Sequence, residues 1–401
     1  MPTVYFSTEK RGFMPQEELL MKGTAGKSLL IGIPKEADEY EHRIVLTPES
    51  VGLLTQKGHQ VMIESRAGAD SNYSDLQYGE TGAFIVSRRE VYLADVLLKI
   101  NPPLPEEIDL MKERQILFSF LPPFLMNGEC MRRLMDKRST ALSFDNIKDR
   151  YGSYPLVKMM SEIAGNVAIQ VAAGYMNKSS GGKGILLGGV SGVNPAEVVI
   201  IGAGTAAEFA ARSALGLGAF VRIFDNSVHR LQRLQNNMAH RLYTSVMYPL
   251  VLGKALASAD VLIGAIFPDE TQSDFPVTEE MVATMKQGAV IIDLSINRGG
   301  CCETSELRNL KSPITLRHGV VHYCVPNIAS LVPRTASMAI SNIMTGLLLD
   351  MEMHGSMANW IKGNAGVRNG VYMFNGILTN AGIGDLLDIP SRDIHLLMAA
   401  F

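Results

Sequence analysis

A chain of 401 residues exceeds one ordinary hydrophobic core and predicts two or three domains. Apolar residues make up 47% and charged residues 19%, which excludes a disordered class. The net charge of −3 comes without a basic block that could neutralise phosphates, which excludes nucleic acid as a partner.

The opening residues, MPTVYFSTEKRGFMPQEELLMKG, lack the apolar stretch of a secretory signal. No segment reaches the ~20 apolar residues of a membrane span. The expectation is a cytoplasmic protein without membrane contact. Residues 1–27 read as a polar arm. SLLIGIPKE then reads as a buried strand, and the loop after it carries Glu39, Glu41, His42 and Arg43. PESVGLLTQKG has Pro at its start and Gly58 beyond its end, the asymmetry of a helix. HQVMIES, FIVS, ADVLLKI and QILFSFL continue the alternation of strands and helices to about residue 150. Such alternation predicts a parallel sheet with crossover helices. MMSEIAGNVAIQVAAGYMN predicts a long helix, and the Gly-rich SSGGKGILLGGVSGV follows it. A second α/β unit comprises VVIIGAG, FVRIFD, ADVLIGAIF, AVIIDLSI and HYCVPNI with helices between them. From PRTASMAISNIMTGLLLDMEMHG onward the pattern reads as helical. The fold class is α/β, with two doubly wound, Rossmann-like domains and a cleft between them.

Cys130, Cys301, Cys302 and Cys324 are few and irregularly placed. The vicinal pair Cys301–Cys302 is not a metal-ligand spacing, so the thiols read as reduced, small hydrophobes and no metal is expected.

The strongest motif is VVIIGAGTAAEFAARSALGLGAFVRIFDNSVHRL. Gly202, Gly204 and Ala207 form the G-x-G-x-x-A dinucleotide fingerprint after an apolar strand. The first Gly permits the tight turn, the second lets backbone approach a pyrophosphate, and the small third residue lets helix pack on strand. Ala203, Thr205 and Ala206 complete the turn and the first helical residues, whose amides would hold phosphates. Asp225 ends the second strand, as expected for a carboxylate that binds ribose hydroxyls. A carboxylate there repels a 2′-phosphate, which favours NAD over NADP. Arg230, one turn into the next helix, is a candidate to stack on adenine or to tolerate a phosphate, which complicates that preference.

With these residues in place, the chain resembles the alanine dehydrogenase and nicotinamide nucleotide transhydrogenase (domain I) family from Leu30 to about Leu387. The resemblance is carried by IGIPKE, HRIVLTP, GHQVMIESRAG, PLVKMMSEIAG, GGKGILLGGVSGV, VVIIGAGTA, MKQGAVIIDLSI, RGGCCE, HGVVHYCVPNI and VPRTAS. PLVKMMSEIAG and GGKGILLGGVSGV follow the alanine dehydrogenase branch. The resemblance implies a discontinuous substrate domain of residues 1–155 and 330–401, with an NAD-binding Rossmann domain of residues 156–329 inserted. It also implies an active site between them. Ser161, Ile296, Asn297 and Asn327 match positions near the nicotinamide half of the cofactor. Arg43 matches the family Arg that clamps the substrate carboxylate, a role suited to the guanidinium fork. Members assemble, so a homo-oligomer is expected.

Three site positions depart from the alanine dehydrogenase pattern. Asn101 stands where the active-site Lys belongs, with Lys99 matching the lysine before it. Pro122 stands at the His position and Asn297 at the Asp position. Transhydrogenase domain I resembles this chain in having Asn, Pro and an amide near these places. Oxidative deamination needs proton transfer near neutral pH, which Pro cannot perform and Asn cannot support as a base. His42, Lys35, Glu36 and Glu41 are candidate replacements, although His42 alternates with Arg43 and so points away from the clamp. Three functions remain. One is an NAD-dependent amino-acid dehydrogenase acting on a small amino acid or 2-oxo acid, weak on L-alanine or altered in substrate. The second is a catalytically impaired NAD-binding sensor, and the third a transhydrogenase-like subunit.

Overall fold

Runs of β-branched residues with both faces apolar build two sheets in a computed structural model that describes residues 28–122, 127–266 and 275–399. The polar arm expected over residues 1–27 lies outside the described residues. The first sheet contains β1 (Leu30–Ile33), β2 (Gln60–Glu64), β3 (Phe84–Val86), β4 (Val96–Leu98), β5 (Ile116–Ser119) and β6 (Thr140–Ser143). The second contains β7 (Glu197–Ile201), β8 (Phe220–Phe224), β9 (Tyr243–Ser245), β10 (Val261–Gly264), β11 (Val290–Asp293), β12 (Ile314–Arg317) and β13 (Val320–Tyr323). β14 (Val371–Phe374) and β15 (Ile377–Leu378) return to the first sheet.

The first sheet runs β15-β14-β6-β5-β4-β1-β2-β3 and the second β12-β13-β11-β10-β7-β8-β9. β1–β6 in the first sheet, and β7–β11 with β13 in the second, are parallel and follow one doubly wound order, which reverses between the first and fourth strands. The reversal falls at β1/β4 in one sheet and at β7/β10 in the other. Helices cover both faces, so alternate strand residues are buried on opposite sides. Val198 and Ile200 join one core, and Val199 and Ile201 the other. Ile31, Val96, Leu98 and Phe118 pack on one face of the first sheet, with Leu97 and Leu117 on its other face. Among the described residues, no helix is long and apolar enough to cross a membrane.

Two hairpins depart from the sequence expectation. The region after Pro333 was expected to be helical throughout, yet β14 pairs antiparallel with β6 and turns into β15. The loop is Asn375-Gly376, with φ of 47° and 79°, the left-handed pair a tight two-residue hairpin requires. β12 pairs antiparallel with β13 through His318 and Gly319, at φ of 52° and 76°. Strands of two to four residues are too short for alternation to register, so the X-Gly turns were their usable signal.

The Pro155–Tyr175 helix packs closely on the Thr205–Gly216 helix. Gly165 makes this approach possible: a Cβ there would lie 2.3 Å from the Ala206 carbonyl oxygen and 2.8 Å from the Ala210 nitrogen. Backbone cannot yield as a flexible side chain does. Gly165→Ala should therefore destabilise the protein by ~1–3 kcal/mol through overpacking. Thermal unfolding checks this, and an unchanged midpoint would contradict the close packing.

Candidate functional site

Strand C-terminal ends at a reversal of strand order leave a crevice where ligands bind. At β7/β10 the crevice is rimmed by the turn Gly202-Ala203-Gly204. Gly202 has φ of 109°, and a Cβ there would meet the Ala265 carbonyl oxygen at 2.2 Å, so only glycine fits. Gly204 opens the Thr205–Gly216 helix, which has no side-chain cap, and its first amides from Thr205 and Ala206 point outward. A Cβ on Gly204 would meet nothing within 4 Å. The turn is thus an open cradle of N–H groups at the positive end of a helix, which fits a pyrophosphate.

Asp225 directly follows β8 and is 5% exposed. It accepts the Ala203 amide at 2.7 Å and the Ser227 amide at 2.7 Å. A carboxylate has about four lone-pair sites, so two bonds leave capacity for ribose hydroxyls. Arg230 is exposed, and its amide donates to the Ser227 hydroxyl at 3.3 Å. Sequence reasoning missed Arg233, whose guanidinium donates to the Ala203 carbonyl at 3.0 Å and braces the turn from outside.

The other end of this crevice lies after β11. Ile296 and Asn297 sit on the 3-10 turn Ile296–Arg298. Asp293, just before it, accepts from the Ser295 amide at 2.9 Å, the Cys301 amide at 2.8 Å and the Ser305 hydroxyl at 2.6 Å. The buried Cys301 and Cys302 thiols lie 3.5 Å apart beside it. Their mutual bond and burial push the Cys301 thiol well up. Since donors already occupy the Asp293 oxygens, the cluster reads as the tie that folds this loop. Asn297 donates to the Pro326 carbonyl at 3.4 Å. It is thereby joined to the segment of Asn327, which opens the 3-10 turn Ile328–Leu331.

Asn327 reaches the other domain. Its amide donates to Glu41 Oε2 at 2.6 Å. Glu41 also receives Arg43 Nε at 2.7 Å and Arg43 Nη2 at 2.6 Å. Burial raises the Glu41 pKa, but the charge and bonds of Arg43 more than offset this and hold it below the usual carboxylate range. Arg43 Nη1 faces the Met160 sulfur at 3.6 Å, on the helical turn that carries Ser161. Ser161 lies in the second turn of its helix, half-buried. Arg43, Asn327 and the turn of Ser161 are therefore brought together through Glu41.

At β1/β4 the crevice holds Glu36 and Asn101. Glu36 accepts the Ile100 amide at 2.6 Å and the Asn101 amide at 3.3 Å, with Lys99 Nζ at 3.3 Å. Burial raises the Glu36 pKa and Lys99 opposes it. Lys99 is 1% exposed and also binds Glu107 at 3.0 Å. Burial alone would lower the Lys99 pKa, but Glu36 and Glu107 raise it. Lys99 is spent inside this network and is not available to a ligand. The Asn101 backbone carbonyl accepts from the Ser119 hydroxyl at 2.8 Å, and Pro122 is buried just beyond β5. The His42 ring lies 3.3 Å from the Ser330 carbonyl and 3.2 Å from the Glu39 carbonyl.

Gly204→Val should leave the fold and its melting temperature intact, because a Cβ at Gly204 meets no protein atom within 4 Å, yet abolish dinucleotide binding in calorimetry. Retained affinity would contradict the cradle. Glu41→Gln should cost ~3–5 kcal/mol by leaving a buried guanidinium uncompensated. Because the Glu41 pKa is lowered on folding, its contribution is full above the unfolded value of ~4.3. It is lost as pH falls through the folded value. The stability gap between wild type and variant in denaturant titrations should therefore close in acid and persist at pH 7.

Residues 32–164 match the family model of the alanine dehydrogenase/PNT N-terminal domain, and residues 168–381 that of its C-terminal domain. An alanine dehydrogenase of Staphylococcus saprophyticus is 37% identical over 370 residues, which cover 92% of this chain and 99% of that protein. One from Mycolicibacterium smegmatis is 36% identical over 373 residues, covering 92% and 100%. A solved L-alanine dehydrogenase superposes with a TM-score of 0.84 at 34% identity, over 89% of this chain and 98% of the other. A transhydrogenase from Sinorhizobium meliloti shares the fold, with a TM-score of 0.74 and 22% identity over 88% and 99%. With both domains matched in order along nearly its whole length, the chain belongs to the alanine dehydrogenase/PNT family.

Proposed function

We propose that the protein is an NAD-dependent amino-acid dehydrogenase that converts L-alanine, NAD and water to pyruvate, ammonium and NADH, slowly on alanine itself. The observation that carries this reading is the link from Arg43 through Glu41 to Asn327. It sets a carboxylate clamp of one domain against the nicotinamide-side turn of the other. In this reading residues 1–155 and 330–401 form the substrate domain and residues 156–329 the nucleotide domain.

Gly202, Ala203, Gly204, Thr205 and Ala206 hold the pyrophosphate, Asp225 the adenosine ribose, and Arg230 covers adenine. Ser161, Ile296, Asn297 and Asn327 surround the nicotinamide, which supplies the hydride acceptor. Glu41 occupies the Nε and Nη2 edge of Arg43, so the amino acid's carboxylate is bound at the Nη1 side. The chain works as a cytoplasmic homo-oligomer.

Asn101, Pro122 and Asn297 favour a second reading, an NAD-binding protein without turnover. NADH production in a screen of L-amino and 2-hydroxy acids separates the two. Wild-type turnover of alanine should lie below the usual ~1–10³ per second, because proton transfer help worth ~10²–10⁴-fold is weakened. Asn101→Lys, Pro122→His and Asn297→Asp together should raise the rate more than any single change, since groups acting as a unit are not additive. Stability needs parallel measurement, as Pro122→His frees a fixed φ. Full wild-type activity on alanine would refute the impaired chemistry, and no NADH from any substrate would favour the second reading.

A further inference from the structure

Deamination needs a group that takes a proton from water and returns it to the departing amine. The turn that carries Pro122 has such a group beside it. The Leu121 amide donates to the Ser143 hydroxyl at 3.0 Å, and that hydroxyl donates to Asp145 Oδ1 at 2.5 Å. Asp145 is half-buried on the 3-10 turn Phe144–Asn146, after β6, and this turn packs against the Pro155–Tyr175 helix. From the other domain, Arg298 projects its charge onto Asp145, and Arg298 directly follows Asn297. The carboxyl is thus tied through Ser143 to the Leu121–Pro122 turn and feels a charge from the turn after β11.

The other titratable candidates are committed elsewhere. Glu41 is held ionised by Arg43 and Asn327. Glu36 accepts two amides and faces Lys99. The His42 ring lies against two carbonyls, and Lys35 is exposed.

We propose that Asp145 is the proton-transfer group of this site, in place of the imidazole that Pro122 removes. The proposal rests on the deaminating reading above. The neutral amine's Cα gives its hydride, with the electron pair, to NAD, leaving an iminium. Water oxygen adds to that carbon while one water proton passes to the Asp145 carboxylate. Asp145 then returns the proton to nitrogen, and the C–N bond breaks with its pair on nitrogen. The hydroxyl proton leaves with ammonia as ammonium, and pyruvate remains.

The electrostatics fit this role. Burial raises the Asp145 pKa, while the Ser143 bond and the charge of Arg298 restrain the rise. A carboxyl shifted upward is a better base near neutral pH. Tyr372, the titratable neighbour on β14, is pushed up to about 12 by burial and by the Asp145 charge, so it stays neutral. Arg368, on the Ala365–Gly370 helix packed against the same turn, is directed to the Ile361 and Lys362 carbonyls.

The test is the pH profile of alanine oxidation by the full chain, with NADH binding measured alongside. Asp145→Asn should lower kcat by ~10²–10⁴-fold with NADH affinity unchanged. In a Pro122→His background the same change should cost far less, because the imidazole supplies the missing proton path; a purely structural Asp145 would not be rescued. Ser143→Ala and Arg298→Gln each remove an influence that lowers the carboxyl pKa, so each should move the acidic limb to higher pH. These shifts test the role even if Asp145→Asn fails to fold. Wild type that turns over alanine no faster than Asp145→Asn, or acidic limbs that stay in place, would overturn the Asp145 role alone. Wild type that produces no NADH would overturn the deaminating reading, and this role with it.

Discussion

The buried carboxylate of Glu41 is the interaction on which the site depends. Donors converge on it from Arg43, through its amide, Nε and Nη2, from the Ser330 hydroxyl, and from Asn327, which lies 286 residues further along the chain. A buried carboxylate without partners would be costly, and so would a buried guanidinium. Each therefore holds the other in one orientation. The Asn327 amide adds a bond across the two sheets, so Arg43 and the turn that Asn327 opens are placed by a shared partner.

A second buried charge cluster lies at the ends of β1 and β4. Lys99, Glu36 and Glu107 neutralise one another, with the Tyr92 hydroxyl donating to Glu107 at 2.9 Å. Glu36 simultaneously receives the amides that follow β4. The strand ends at the β1/β4 reversal are thus fastened by electrostatics where the sheet's own hydrogen bonding stops. Lys99 thus contributes to architecture. The two doubly wound sheets use one topological device twice, each with a crevice at its reversal of strand order. Their chemistry differs because the residues after the strands differ.

Much of the fold was legible in the sequence because parallel, doubly covered strands leave continuous β-branched runs. VVIIGAG, AVIIDLSI and ADVLIGAI each appear as strands near where apolar density predicts them. The hairpins β12–β13 and β14–β15 were not legible, since their few residues carry no resolvable period and their turns depend on His318-Gly319 and Asn375-Gly376. In the site, the Gly202 to Ala206 turn and Asp225 could be read because they fall within one short segment whose spacing follows from strand and helix geometry. Glu41 was a candidate only as one charged loop residue among several. Its bond to Asn327 has no counterpart in spacing. Asp145 and Arg298 carried no signal at all, because a single carboxylate in SFDNIKDR and one arginine in INRGG resemble ordinary surface charges.

The sequence by itself determined the periodicities, the turn residues and the phosphate-binding segment, all of which depend on interactions within about twenty residues. It also carries Asn101, Pro122 and Asn297 where the resemblance implies Lys, His and Asp. Tertiary structure alone decided which of the remaining charged groups are neutralised and which stay near the cleft. Lys99, Glu36 and Glu41 acquire partners through chain segments that meet only after folding, and Asp145 comes to lie beside the Leu121–Pro122 turn. The reason is physical: the proton affinity of a side chain depends on the desolvation and charges around it. Those surroundings are assembled by long-range packing, which local sequence patterns do not encode.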